Sequence, residues 1–169
     1  TTAGSINDIR DDDKVPDKED PFGNEGNNVT TGIYVLEKGE KLNQKIKDAE
    51  SVTFTWKSAP EGAVTTDVSQ NKDGSIVLWN DDGDCYISSQ RAGQVIYMNA
   101  ISSKIFKNCR NLTEINFKNI DTSAVVDMSQ MFYAMDSIKT LDLSSFNTSN
   151  VEDVSQMFYG NPVLKTTYV

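Results

Sequence analysis

At 169 residues, 37% hydrophobic and with a formal net charge of −9, the chain has apolar material for one domain, or for a small domain plus a short repeat array. A protein this acidic with no basic stripe repels a phosphate backbone, which argues against nucleic acid as a partner. The absence of histidine removes the commonest general base and the commonest zinc ligand.

No apolar run approaches the eighteen or so residues of a membrane helix. The start, Thr1-Thr2-Ala3-Gly4, has neither a basic region nor an apolar stretch, so a secretion signal is expected to have been removed or never present. Residues 1–30 are rich in Asp, Asn, Gly and Pro and almost free of large apolar side chains. They are predicted to be an acidic disordered tether, because such a segment buries too little surface to offset its ordering entropy. Asp11-Asp12-Asp13 lacks the spaced ligands and turn glycine of a calcium loop.

Residues 31–95 are predicted to form an N-terminal α+β unit containing a hairpin. Ile33, Val35 and Leu36 suggest a short strand. Leu42, Ile46 and Ala49 recur at i, i+4 and i+7, one face of a helix of about three turns. Val52, Phe54 and Trp56 alternate with Thr53, Thr55 and Lys57, a strand with one buried face. Ala59-Pro60-Glu61-Gly62 ends it with turn chemistry. Ile76-Val77-Leu78-Trp79 and Cys85-Tyr86-Ile87 flank Asp82-Gly83, a hairpin signal, because glycine takes positive φ at little cost. Val95, Ile96 and Tyr97 suggest one further strand.

Residues 96–169 contain an internal repeat of 26 residues. Asp121-Thr122-Ser123-Ala124-Val125-Val126-Asp127-Met128-Ser129-Gln130-Met131-Phe132-Tyr133 aligns without gaps on residues 147–159, with nine of thirteen positions identical. The register extends to Leu112–Phe117, Ile138–Leu143 and Leu164–Val169. Alternation of Leu141 and Leu143 with Asp142 predicts a strand in each unit. Val151, Val154, Met157 and Phe158, at i, i+3, i+6 and i+7, predict a short helix. Such units bury their apolar faces only when stacked, so the expected fold is α+β: a small N-terminal α+β or β-rich unit followed by a leucine-rich-repeat-like solenoid.

Phe146-Asn147-Thr148-Ser149-Asn150-Val151-Glu152-Asp153-Val154-Ser155-Gln156-Met157-Phe158 and Leu164-Lys165-Thr166-Thr167-Tyr168-Val169 resemble the BspA-like surface-protein repeat, also known as a domain of unknown function in mycoplasma lipoproteins. Residues 65–98, with Asp67-Val68-Ser69 and Asp73-Gly74-Ser75, resemble the segment that often precedes such arrays. The resemblance implies an extracellular bacterial surface protein, anchored to membrane or wall by a part outside this chain and used in adhesion to host or microbial proteins or glycans. Gly160-Asn161-Pro162 stands where that repeat more often has a cysteine-containing turn.

The chemistry-bearing residues read better as structure than as a catalytic site. Asp127 and Asp153 repeat in register, as helix-start charges would. Asp81, Asp82 and Asp84 crowd a hairpin tip, which suits a solvated turn. Met128, Met131, Met135 and Met157 read as core filling. Ser-Gln-Met-Phe has neither a glycine elbow nor a histidine. Cys85 and Cys109 are compatible with a disulfide or with buried free thiols.

No catalytic residue, metal or cofactor is therefore expected, and the chain reads as a non-enzymatic binding module. The alternative is a secreted carbohydrate-active or calcium-dependent domain using carboxylates in residues 60–100. Strand alternation places Glu114, Asn116, Lys118, Thr140, Asp142, Ser144, Thr166 and Tyr168 on the outward, partner-binding face. The array stops inside its third strand, so the end is expected to be truncated or to associate end to end with another copy.

Overall fold

The computed structural model describes residues 33–169, so the tether predicted over residues 1–30 lies outside the described residues. Among the described residues the fold is mixed α+β, mostly short strands with one short helix. Helix α1 (Gly39–Ile46) buries Gly39, Leu42, Asn43 and Ile46. It has about two turns and not three. Ala49 is buried as expected, but its N–H closes a tight turn on the Ile46 carbonyl, and Glu50 N–H then bonds Gly83 O. The chain is thereby handed to the first strand.

That strand, β1 (Ser51–Thr55), joins β2 (Thr66–Asp67), β3 (Val77–Asp81), β4 (Asp84–Ser88) and β6 (Glu114–Asn116) in one sheet of order β2-β3-β4-β1-β6. β3 and β4 form the expected hairpin, turning through Asp82 and Gly83, both at positive φ. β1 runs parallel to both β4 and β6. The sheet therefore takes its last strand from beyond residue 96. Val52 and Phe54 are buried, whereas Trp56, predicted on the same buried face, is 45% exposed. The strand ends at Thr55, and the alternation ends with it. Ile33 to Leu36 forms no full strand, only the bridges Val35–Tyr97 and Leu36–Ser69.

Two parallel pairs complete the sheets: β5 (Ile96–Tyr97) with β7 (Ile120–Asp121), and β8 (Thr140–Asp142) with β9 (Thr166–Tyr168). β8 pairs with β9 at an offset of one 26-residue period, and Ile101, Asp127 and Asp153 are bridged at the same offset.

The short helix predicted in each unit does not form, which corrects the strand-helix reading. Residues 103–108, 129–134 and 155–160 are turns. Lys104, Gln130 and Gln156 stand at one repeat position and Asn108, Ala134 and Gly160 at another, and all six have positive φ. A left-handed residue at every fourth position is incompatible with a right-handed helix. The freed N–H groups cross to the next unit instead. Lys104, Phe106 and Asn108 donate to the carbonyls of Ser129, Met131 and Tyr133, and Gln130, Phe132 and Ala134 donate to those of Ser155, Met157 and Tyr159, all at 2.8–3.1 Å.

Inside these turns Phe106, Phe132 and Phe158 stack ring on ring, 5.6 Å apart and nearly parallel at each step. Phe117 meets Phe106 and Phe132 edge-on and joins the stack to the sheet. Met128, Met131 and Met135 are fully buried beside it, and Met157 is nearly so.

The carbonyl row of the first unit is covered by α1. Gly39 N–H donates to Ile101 O at 3.0 Å. The Asn43 side-chain amide donates to both Ile105 O and Lys107 O at 2.8 Å. A Cβ on Gly39 would lie 2.0 Å from Ser103 O, so this approach requires glycine. Glu37, almost fully buried, fixes the segment before α1 through Lys45 and Lys72, each at 2.5 Å.

Candidate functional site

The eight residues assigned to the outward face divide between two places. Glu114, Asn116, Lys118, Asp142 and Ser144 line one open groove of about 240 Å³, with Ile115, Phe117 and Ser145 completing its walls. Thr140, Thr166 and Tyr168 lie on the β8–β9 ladder and are exposed. Glu114, Lys118, Asp142 and Ser144 are likewise exposed, and Asn116 is half-buried. Beneath them Phe117, Leu141 and Leu143 are buried and Ile115 is partly so, as a period of two requires. In β9 the alternation fails, because Thr167 is exposed too.

The face is not one continuous sheet. β6 pairs with β1, while β8 pairs only with β9. β6 and β8 lie side by side without a strand ladder, and the groove opens along that seam. Ser145 Oγ reaches across it to Phe117 O at 3.3 Å. Sequence alternation identifies which side chains point outward but carries no signal for the seam.

The groove holds charges of both signs on an apolar floor. The Asp142 carboxyl is held below the usual carboxylate range, chiefly by the Ser144 hydroxyl, then by the Ser144 N–H, with the Lys118 ammonium adding to the effect. Ser144 Oγ and N donate to Asp142 Oδ1 at 2.6 and 3.0 Å. Asp142 is thus a fixed anion at neutral pH, oriented by its own turn.

This turn is a recurrent device. Asp127 and Asp153, predicted as helix-start charges, instead accept the N–H two residues on, from Ser129 at 2.8 Å and Ser155 at 2.9 Å. Asp121, Asn147 and Asp67 make the same contact with Ser123, Ser149 and Ser69. These are Asx turns. The signal was present in the sequence as the recurring Asp/Asn-x-Ser triplet, which the helical reading of the apolar stripe obscured.

Other candidate chemistry is dispersed. Among the described residues no group of three cysteine or acidic side chains converges to hold a metal ion. At the hairpin tip Asp84 accepts from Ser51 Oγ at 2.6 Å. Cys85 and Cys109 are free thiols, both pushed up to about 12 by burial and so protonated at neutral pH. No described helix is long and apolar enough to cross a membrane.

Residues 88–167 match the family model described as Mycoplasma protein of unknown function, DUF285. The match takes in the repeat and supports the mycoplasma repeat family. No curated protein and no solved structure matches the chain.

Proposed function

We propose that the chain is a non-enzymatic binding module of a bacterial surface protein, a short BspA-like, leucine-rich-repeat-type solenoid working in adhesion outside the cell. The observation that carries this reading is the seam groove, where five of the eight outward residues meet around an apolar floor. Repeat arrays bind through open faces of this kind, with fixed polar side chains giving specificity and little backbone rearrangement on binding. Glu114 and Lys118 place opposite charges on one wall and Asp142 a third on the other. That pattern suits a glycan or a mixed-charge loop of a host or microbial surface protein.

The test is screening of the whole chain against immobilised extracellular-matrix proteins and glycans, repeated with a Glu114→Ala/Lys118→Ala/Asp142→Asn variant. Asparagine at 142 keeps the turn acceptor and removes only the charge. Affinity for the captured ligand should fall by roughly tenfold or more at an unchanged melting temperature. Equal binding by the variant would remove the groove from the interaction.

A further inference from the structure

We infer that the cleft between α1 and the first repeat turn is a second binding site, one that takes a small saccharide through a carboxylate or sulfate group. It shares no residue with the groove at the β6–β8 seam, so the inference does not depend on how that groove is read.

Two segments build the cleft, which encloses about 340 Å³. Glu40, Gln44 and Lys47 line it from α1 and the residue just beyond, and Lys104, Lys107 and Asn108 from the turn over residues 103–108. Three lysines thus meet one carboxylate, in a chain whose formal net charge is −9. The sequence shows no basic stripe because these lysines come from segments about sixty residues apart and meet only in the fold. Asn43 clamps the two walls, its amide donating to Ile105 O and Lys107 O at 2.8 Å. The walls are therefore held in place before any ligand arrives, which lowers the ordering cost of binding.

The charge inside is unbalanced. Lys104 Nζ pairs with Glu40 Oε1 at 2.8 Å, whereas among the described residues neither Lys47 nor Lys107 has a carboxylate partner. Lys107 rests instead on neutral groups, with Gln130 Oε1 at 3.0 Å and the Tyr133 ring centroid at 5.0 Å. The Glu40 carboxyl is held below the usual carboxylate range by the hydrogen bond and charge of Lys104, with Lys107 adding to the effect, so both lysines of the turn act on one shared space. The repeat shows that these residues are particular to the cleft. One and two periods on, the position of Lys104 holds Gln130 and Gln156, that of Lys107 holds Tyr133 and Tyr159, and that of Asn108 holds Ala134 and Gly160. Asparagine suits the left-handed backbone at 108. The backbone makes no such demand for lysine at 104 or 107, and both stand where α1 supplies the opposite wall.

The ligand chemistry follows from the lining. Clustered ammonium groups call for an oxyanion. The Gln44 and Asn108 amides and the Glu40 carboxylate add donors and acceptors for hydroxyls, and among the described residues no apolar side chain lines the cleft to receive a hydrophobic group. One short cleft does not track a nucleic-acid backbone, whose binding needs many phosphate contacts in a row. A sugar bearing one acidic group meets all of these conditions.

The test titrates sialyllactose, sulfated lactose, neutral lactose and sodium sulfate separately into the whole ¹⁵N-labelled chain and follows the amides by NMR. At least one acidic sugar should shift Gln44, Lys47 and Asn108, with lactose inactive at the same concentration. Lys47→Gln/Lys107→Gln should weaken that binding by roughly tenfold at an unchanged melting temperature, while Glu114→Ala/Lys118→Ala/Asp142→Asn should leave it intact. Five results would overturn the inference: no shift with either acidic sugar; equal binding of lactose; sulfate ion bound as tightly as the acidic sugar, which would make this a site for an adventitious ion only; equal binding by the lysine variant; or tighter binding of a tetra-aspartate peptide, which would make the cleft a dock for acidic protein segments.

Discussion

A carboxylate that accepts the N–H two residues ahead fixes a turn with one side chain, and Asp127 and Asp153 repeat this contact one period apart. The demands on that carboxylate differ from site to site. Asp153 uses a single oxygen, Oδ1, for both Ser155 N and Ser155 Oγ. Asp67 uses both, with Oδ1 accepting from Ser69 and Oδ2 from Gly74 N at 3.0 Å. Asp153→Asn should therefore leave stability nearly unchanged. Asp67→Asn would point an amide N–H₂ at the Gly74 donor and should cost about 1–2 kcal/mol. Chemical denaturation at neutral pH separates the two, and equal effects would reject the turn assignment. The pH dependence follows. Burial pushes the Asp67 carboxyl up, but bonds from Ser69 and Gly74 outweigh it and hold it below the usual range, and Ser155 does the same for Asp153. With folded values depressed, the contribution is complete above the unfolded value of about 3.9 and is lost as pH falls through the folded value. A melting-temperature profile from about pH 6 to pH 3 should thus fall at its acid end, less steeply for Asp153→Asn.

An apolar stripe at i, i+3, i+6 and i+7 points inward whether the backbone is a helix or a run of tight turns, and the repeat takes the second course. Its backbone donors are spent between units and not within them. A stack of this kind has unlike ends. The carbonyl end is covered by α1, whose Asn43 fills two acceptors with one amide. Asn43→Leu would keep the helix and leave those buried carbonyls without a donor, at a cost of about 2–4 kcal/mol. Gly39→Ala would force a methyl against the Ser103 carbonyl, for about 1–3 kcal/mol. Lys41→Ala, on the exposed side of the same helix, should be close to neutral. Urea titrations of the three variants give the comparison. Asn43→Leu as mild as Lys41→Ala would show that α1 does not serve as the cap.

Across the whole molecule one apolar cluster runs from Leu36 through the phenylalanine stack to Met157, and the five-stranded sheet crosses from the hairpin unit into the repeat. Packing along this cluster is graded toward the last unit. Phe132 is fully buried between two rings, whereas Phe158 is 42% exposed. Both belong to the sequence-predicted stripe, yet they are not equivalent. Phe132→Ala should cost about 3–5 kcal/mol, and Phe158→Ala only about 1 kcal/mol, in proportion to the surface it buries. Because the core is shared, Phe132→Ala should also lower the unfolding midpoint seen by the buried Trp79 in β3. A Trp79 signal unmoved by Phe132→Ala would mean that the hairpin unit and the repeat unfold separately.

The sequence by itself determined the 26-residue period, the Asp82-Gly83 hairpin, the apolar positions Leu141, Leu143, Met131 and Phe132, and the exposed positions Thr140 and Asp142 of β8. Each is a local preference or a periodicity, and both are written directly in residue order. Tertiary structure alone decided three things. It made turns of the expected helices, because left-handed residues such as Gln130 and Ala134 break the helical path and turn their N–H groups toward carbonyls of the next unit. It split the strand face at the β6–β8 seam, because β1 captured β6. It capped one end of the ladder with Gly39 and Asn43, about sixty residues away from the carbonyls they meet. Pairings between distant segments depend on where the chain brings donors and acceptors together, and no local pattern of residue types encodes that meeting.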